Sequence, residues 1–362
     1  MIDNAWCGID VAKLTFAAAF HPADLDFDPK RAPSKKFKRN EEGVIQLLTW
    51  IDEHGSKHHA DQYNPSKVRV LMECTGRYST ELAALLISKR KTLTPALVNA
   101  HLAKSFTQSL GFRNKNDTVD SRALSRMGIE RRPHPYIQLA PVQAELRELS
   151  RLRTRLVEER KALKIRAGEV NEFASICKFQ NTQAKFFDKQ ISEVEKKMDK
   201  LLKRSDQLLR DFKLMITIPG IGKTIAVAIL AELGDLSVFK RSRQVSAMVG
   251  LSPVQKQSGT SVHGRTVISK KGNAHARRAL YMAGVTLMRS PETPLGAFYQ
   301  RLVEAGKAKK SAICAVMRKL IILMRALVIS GKPYDPEFDH TQNWRHQLDK
   351  DTPLPFAEAI QS

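Results

Sequence analysis

Four carboxylates are the side chains of this 362-residue chain best placed to do chemistry together. Asp10 lies in CGIDVA and Glu73 in VRVLMECTG, each at or near the end of an apolar run, and Asp117 and Asp120 follow in RNKNDTVDSRAL. A carboxylate at the end of an apolar strand loses hydration, which is costly unless something repays it. Taken singly, each acid has an ordinary use: Asp10 or Glu73 as a strand-end turn former, and the Asp117/Asp120 pair as a complement to a helix dipole. Four acids converging at the ends of neighbouring strands have a different one. Oxygen ligands suit Mg²⁺ or Mn²⁺, and two such ions about 4 Å apart clamp both sides of a phosphodiester. Spacing of three puts Asp117 and Asp120 on one helix face, so both can reach one site.

The surroundings favour a polyanionic substrate. Lys and Arg number 60 against 37 Asp and Glu, a formal net charge of +23. Residues 236–291 hold Lys240, Arg241, Arg243, Lys256, Arg265, Lys270, Lys271, Arg277, Arg278 and Arg289 without one Asp or Glu. A solvated face normally mixes signs, so this stretch reads as a nucleic-acid contact surface. In the same region QKQSGTSVHGR sets Ser258, Thr260 and Ser261 among glycines; the residues alone give Ser258 no privilege over its neighbours. IPGIGKT fails as a phosphate-binding P-loop because Thr217 stands where that motif needs glycine. It fits the turn of a helix–hairpin–helix, with Gly220 and Gly222 letting backbone N–H groups and Lys223 approach a phosphate at a helix start; a plain packing joint is the other reading. His54, His58 and His59 in EHGSKHHADQ read as a polar loop after a helix rather than as metal ligands.

The elements that must position these residues change character along the chain. Residues 1–137 read as α/β: WCGIDVA and TFAAAF as a strand pair, GVIQLLTWI as a helix, VRVLMECT as a buried strand, TELAALLISKRK as a helix, PALVNA as a strand and DTVDSRALSRM as a helix. RRPHP marks a boundary. Over 138–212, Val142, Leu149, Leu156, Leu163 and Val170 recur every seven residues. After an expected break near FQNTQ, Phe187, Ile191, Val194, Met198, Leu201, Ser205, Leu208 and Phe212 alternate spacings of four and three, a heptad seam with one polar position. Such helices fold back as a hairpin or pair with another subunit. Residues 213–332 read as mainly helical, with HARRALYMAGVTLM and SAICAVMRKLIILMRALV the clearest helices, and 333–362 as a tail.

Apolar content of 42% suits a folded protein. The longest apolar run, LIILMRALVIS, is interrupted by Arg325 and too short for a membrane span, and MIDNAWCGID shows no secretory signal. Cys7, Cys74, Cys177 and Cys314 are scattered without metal-ligand spacing and read as reduced thiols of a cytoplasmic protein.

With these residues in view, the chain resembles the DEDD transposases of bacterial insertion sequences, the IS one-ten family, whose members are bridge-RNA-guided recombinases. GIDVAK, ECTGRY and NKNDTVDSRAL look like the three acidic motifs of the family's RuvC-like N-terminal domain. IPGIGKTIAVAIL, GLSPVQKQSGTSVHGR and KKGNAHARRALYM look like its C-terminal transposase domain. Departures are mild: Cys74 stands where Ala is commoner, and Asn116 and Ser121 replace the usual Thr and Ala. The resemblance implies an RNase H-like fold over 1–137, a coiled-coil linker over 138–212 and a helical domain over 213–332. It makes Asp10, Glu73, Asp117 and Asp120 the metal-binding tetrad and Ser258 the nucleophile that joins covalently to DNA. It further implies dimers assembling into tetramers on donor and target DNA, with a structured guide RNA pairing to both duplexes while the protein reads backbone and shape. The rival reading is a junction-resolving nuclease that uses the same tetrad with water as nucleophile.

Overall fold

The computed structural model describes residues 5–59, 63–112, 116–136, 138–169, 174–254, 257–258, 262–263 and 266–336. Contacts divide the chain into two compact units, parting after Gln138. Mixed α/β structure is confined to the first, and the second is helical apart from two short strand pairs.

In the first unit, β1 (Ala5–Val11), β2 (Thr15–Pro22) and β3 (Ser34–Lys38) form an antiparallel meander. Helix α1 (Glu41–His59) crosses to β4 (Val68–Glu73), which pairs parallel to β1, and α2 (Arg77–Lys89) crosses to β5 (Thr94–Val98), parallel to β4. The sheet order is β3-β2-β1-β4-β5. Side chains alternate across this sheet with period two. Cys7, Ile9, Val70 and Met72 join a core with Leu47, Ile51, Leu82 and Leu86 of α1 and α2. Trp6 and Leu71 point to the opposite face, into a core shared with Phe106 of α3 (Ala100–Ser109) and Leu124 and Met127 of α4 (Asp117–Arg131). The same alternation puts Asp10 and Glu73 on the α4 face.

The second unit opens with α5 (Pro141–Glu169) and α6 (Ala174–Leu202), an antiparallel pair tied by Arg153 to Glu195 at 2.7 Å and by Arg160 to Asp188. Two expectations need correcting here. The helix runs through FQNTQ, so α6 begins earlier than the heptad break suggested. The seam also stops at Leu202: Ser205, its polar position, is the N-cap of α7 (Asp206–Met215), accepting the Leu208 N–H at 3.4 Å. Leu146, Leu156, Ile191, Val194, Met198 and Leu201 are buried in the chain's own core. The hairpin alternative therefore holds for the seam. Ile191→Asp is expected to cost roughly 3 kcal/mol or more of unfolding free energy, because it buries an unpaired charge. A folded variant with the wild-type melting temperature but a smaller assembly by light scattering would return the seam to a subunit contact.

Helices α8 (Lys223–Leu233), α9 (Ser242–Met248), α10 (Ala274–Leu287), α11 (Pro294–Glu304) and α12 (Lys309–Ser330) complete the unit. They share one core with α5–α7, so residues 139–212 and those that follow are not packed separately. Tyr334 ties the chain back by donating its N–H to Thr217 Oγ1 at 2.8 Å; residues 337–362 of the expected tail lie outside those described. The histidine segment is not a loop. Helix α1 continues as far as His59, His54 lies 4.5 Å from the Trp50 ring, and His58 stacks on Phe20 at 6.0 Å. No helix among the described residues is long and apolar enough to cross a membrane.

Candidate metal centre and nucleic-acid interface

Asp10 and Glu73 sit side by side because β1 and β4 run parallel. The pairing of Ile9 with Met72 makes Asp10 and Glu73 the next positions at the carboxyl ends of both strands. Asp117 and Asp120 occupy the first turn of α4, which starts where the Val119 N–H donates to Asn116 Oδ1 at 2.9 Å. The α4 backbone lies directly on β1. A methyl built on Gly8 would fall 2.1 Å from the Ser121 carbonyl oxygen and 2.2 Å from the Ser125 nitrogen. Further along, Gly128 admits the Trp6 ring in the same way. The departures from the family pattern are accommodated: Asn116 caps the helix, and buried Ser121 donates its hydroxyl to the Thr118 carbonyl at 2.9 Å. Cys74 is exposed, its N–H donating to the Val98 carbonyl at 2.8 Å.

Electrostatics ties the four acids to one place. Burial pushes the Asp10 carboxyl up to about 6, and the charges of Asp120, Asp117 and Glu73 push the same way, in that order. The Val11 N–H opposes them. The acids do not form a closed cage. Among the described residues no group of three or more His, Cys, Asp or Glu side chains is gathered tightly enough to hold an ion. Asp117 instead pairs with Lys36, Nζ to Oδ2 2.9 Å. Mutual repulsion accounts for both observations, and an all-oxygen donor set fits a hard divalent cation that would relieve it. Asp10 keeps its proton to about pH 6 when folded, against an ordinary 3.8. The folded state thus holds the extra proton, and stability is lost as pH rises through that window. A divalent cation held by these acids would remove this penalty. The metal-induced rise in melting temperature is therefore expected to be larger at pH 7.5 than at pH 5; equal rises would show that Asp10 lies outside the ion's reach.

In the second unit, Ser258 lies on a short strand pair. Strand β6 (Pro253–Val254) pairs with β9 (Val267–Ile268), and inside it β7 (Gln257–Ser258) pairs with β8 (Val262–His263), Ser258 opposite Val262. Lys256, Thr260, Ser261 and Arg265 lie outside the described residues. The hairpin base is clamped to the end of α9: the Ser269 N–H donates to the Ser252 carbonyl at 2.8 Å and the Asn273 N–H to the Met248 carbonyl at 2.7 Å.

The cations of this region divide by environment. Arg277 donates to the Val249 carbonyl at 3.0 Å and to the Lys270 carbonyl at 3.3 Å, so it holds backbone. Arg278 pairs with Glu158 of α5. Lys270, at φ 54°, and Lys271 are exposed. Gly220 takes φ 82° in the turn between α7 and α8, Gly222 is the α8 N-cap without a side-chain cap, and Lys223 reaches Asp199 at 2.6 Å. One network escaped the sequence reading. Glu232, buried in α8, receives Arg151 Nε and Nη2 at 2.7 and 2.8 Å and Asn273 Nδ2 at 2.8 Å. Burial pushes its carboxyl up, but the bonds from Arg151 and Asn273 outweigh that and hold it below the usual range. Asn273 also caps α10 by accepting the Ala276 N–H at 2.9 Å, so this buried acid anchors the KKGNAHARR segment, the one signal that could have pointed to it.

Two family models match parts of the chain. Residues 7–170 match the DEDD transposase domain of the IS110 type, and residues 213–300 the domain described as Transposase, IS116/IS110/IS902 family. A pilin gene-inverting protein of Moraxella lacunata is 28% identical over 334 residues, 92% of this chain and 98% of that protein. The transposase for insertion sequence element IS1111A of Coxiella burnetii is 39% identical over 79 residues, 22% of this chain and 21% of that protein.

Proposed function

We propose that this chain, which matches the DEDD and IS116/IS110/IS902 family domains, is a transposase that cuts and rejoins DNA through a composite site of four carboxylates and Ser258. The observation that carries the metal half of this reading is geometric: parallel β1 and β4 set Asp10 and Glu73 side by side, on the face covered by α4, whose first turn bears Asp117 and Asp120. Asp10, Glu73, Asp117 and Asp120 would hold Mg²⁺ or Mn²⁺, which when bound polarises the scissile phosphate and neutralises developing charge. Ser258 supplies the nucleophile: its Oγ bonds to phosphorus, a phosphorus–oxygen bond to deoxyribose breaks, and the sugar hydroxyl leaves. The resulting phosphoserine bond conserves the energy needed for rejoining, so ATP is not required. Because the acids lie within residues 5–131 and the serine in the second unit, folding or assembly must bring the two together.

The rest of the proposal follows the resemblance. A structured bridge RNA pairs with donor and target DNA, and dimers assemble to tetramers around both duplexes. A net charge of +23, with exposed Lys270 and Lys271, supports a large nucleic-acid surface. In the helix–hairpin–helix turn, Gly222 and Lys223 would meet a phosphate once Lys223 exchanges Asp199 for it. Assembly would use surfaces other than the seam from Ile191 to Leu201, which is buried within the chain.

A water-using nuclease is the second reading, favoured by one observation: all four carboxylates come from a single unit that contains no part of the Ser258 hairpin. A denaturing gel of reactions on DNA carrying the element's ends, with its flanking RNA, separates them. The proposal expects DNA attached to protein; cleaved DNA without attached protein supports the nuclease.

A further inference from the structure

Edge strand β3 adds a group to the acid site that neither the tetrad nor the basic region includes. Lys36 pairs in register with Ala17, and Ala17 with Asp10, so the three form a row across β3, β2 and β1. Cross-strand partners share a face, here the one that α4 covers. At about 4.8 Å per strand, Lys36 lies roughly 10 Å from Asp10 along the sheet. Only the Ala17 methyl stands between them. The space it leaves is a cleft of about 280 Å³, walled by Ser34 and Lys36 on one side and Asn116 and Asp117 on the other. Lys36 spans the cleft to Asp117, and both side chains are more than half exposed, 58% and 52%. An exposed ion pair is held weakly and exchanges readily.

We propose that Lys36 stands in for the divalent cation at Asp117 in the metal-free protein, and that metal binding releases its ammonium to grip a DNA phosphate beside the one being cut. The inference rests on reading the four acids as the metal centre. Asp117 opens the helical turn that also carries Asp120, on the sheet face that bears Asp10 and Glu73, so a doubly charged ion competes well against a single ammonium there. The freed group sits on a flexible four-carbon stem at the cleft's far wall, and a lysine ammonium binds phosphate as a compact point charge. Exchange makes the cleft self-guarding: Asp117 remains neutralised without metal, and the phosphate grip forms only when the metal is in place.

Two measurements on the full chain test this, using Mn²⁺ alone and a short mixed-sequence DNA duplex as probes. By calorimetry, Lys36→Met is expected to bind Mn²⁺ about three- to fivefold more tightly than wild type, because the competing ammonium is gone. In duplex binding, Lys36→Met should lower the slope of log K against log salt by about 0.9, one phosphate contact, with Mn²⁺ present. With EDTA instead, the slope should match wild type, and Lys36→Arg should keep the wild-type slope in both. Unchanged or weaker Mn²⁺ binding by Lys36→Met overturns the stand-in role, and an unchanged slope in Mn²⁺ overturns the phosphate grip. Asp120→Asn run alongside isolates the premise. If it binds Mn²⁺ as tightly as wild type, or wild type binds none, the metal-centre reading fails and the inference falls with it. If Asp120→Asn loses Mn²⁺ and Lys36→Met gains nothing, only the inference fails.

Discussion

Asp120→Asn is expected to abolish strand cleavage, by about a thousandfold or more, while nucleic-acid binding persists or tightens. Charge stabilisation by a bound metal is worth several kcal/mol in the transition state, and each 1.4 kcal/mol or so is tenfold in rate. The exchange is nearly isosteric, and the Ser121 and Ser125 backbones seat α4 on β1 at Gly8. Removing one negative charge also relieves Asp10, for which Asp120 is the largest charged contributor. The metal-free variant should therefore melt no lower than wild type, and its metal-induced rise in melting temperature should shrink. Asp10→Ala is expected to lose cleavage in the same way. Wild-type cleavage by either variant, measured on a gel in Mg²⁺, would end the metal-centre reading.

Ser258→Ala carries the second large effect: complete loss of the covalent protein–DNA adduct with nucleic-acid binding retained. A serine hydroxyl is a weak nucleophile at neutral pH, so the proposed attack needs a polarised phosphate and cationic help of the kind the basic stretch 236–291 could offer. Removing the oxygen removes the bond that would form, which no neighbouring group can supply. Ser258 pairs with Val262 through the backbone, and alanine keeps that pairing. Mapping the adduct trapped with wild-type protein should find DNA on Ser258. Attachment to Thr260 or Ser261 would refute this residue assignment, and efficient cleavage with no attachment anywhere would favour water as the nucleophile.

Much of the acid site was legible because central strands of a sheet covered on both faces read as continuous apolar runs, and an acid near the end of such a run stands out. That logic found β1, β4 and the helix opening at Asp117. It missed β3, whose SKKFK has a single apolar residue, Phe37, because an edge strand needs little more and lysines protect its open side. Lys36 was hidden with it. The seam was over-extended for a related reason: Ser205 keeps heptad spacing, yet serine followed by Asp206 is also a helix-start pattern, and capping prevailed. Helix α11 carried a start signal too, Thr293 before Pro294. Counting charges treated Arg277 and Arg278 like Lys271. Only tertiary structure reveals that one grips carbonyls and the other meets an acid from a distant helix.

The contact at Gly8 has a consequence for how accurately the acids are held. In a machined assembly, positional error grows with the number of parts stacked between a component and its reference face. Between β1 and α4 at Gly8 that number is zero, since backbone rests on backbone. Side chains change rotamer and leave gaps; main chain locked in a sheet does neither so easily. Strand β1 serves as the gauge for most of the set. It carries Asp10 itself and fixes the height of the helix bearing Asp117 and Asp120, while Glu73 is referenced to it through one row of inter-strand hydrogen bonds. A single methyl at position 8 would throw out two of the four acids at once.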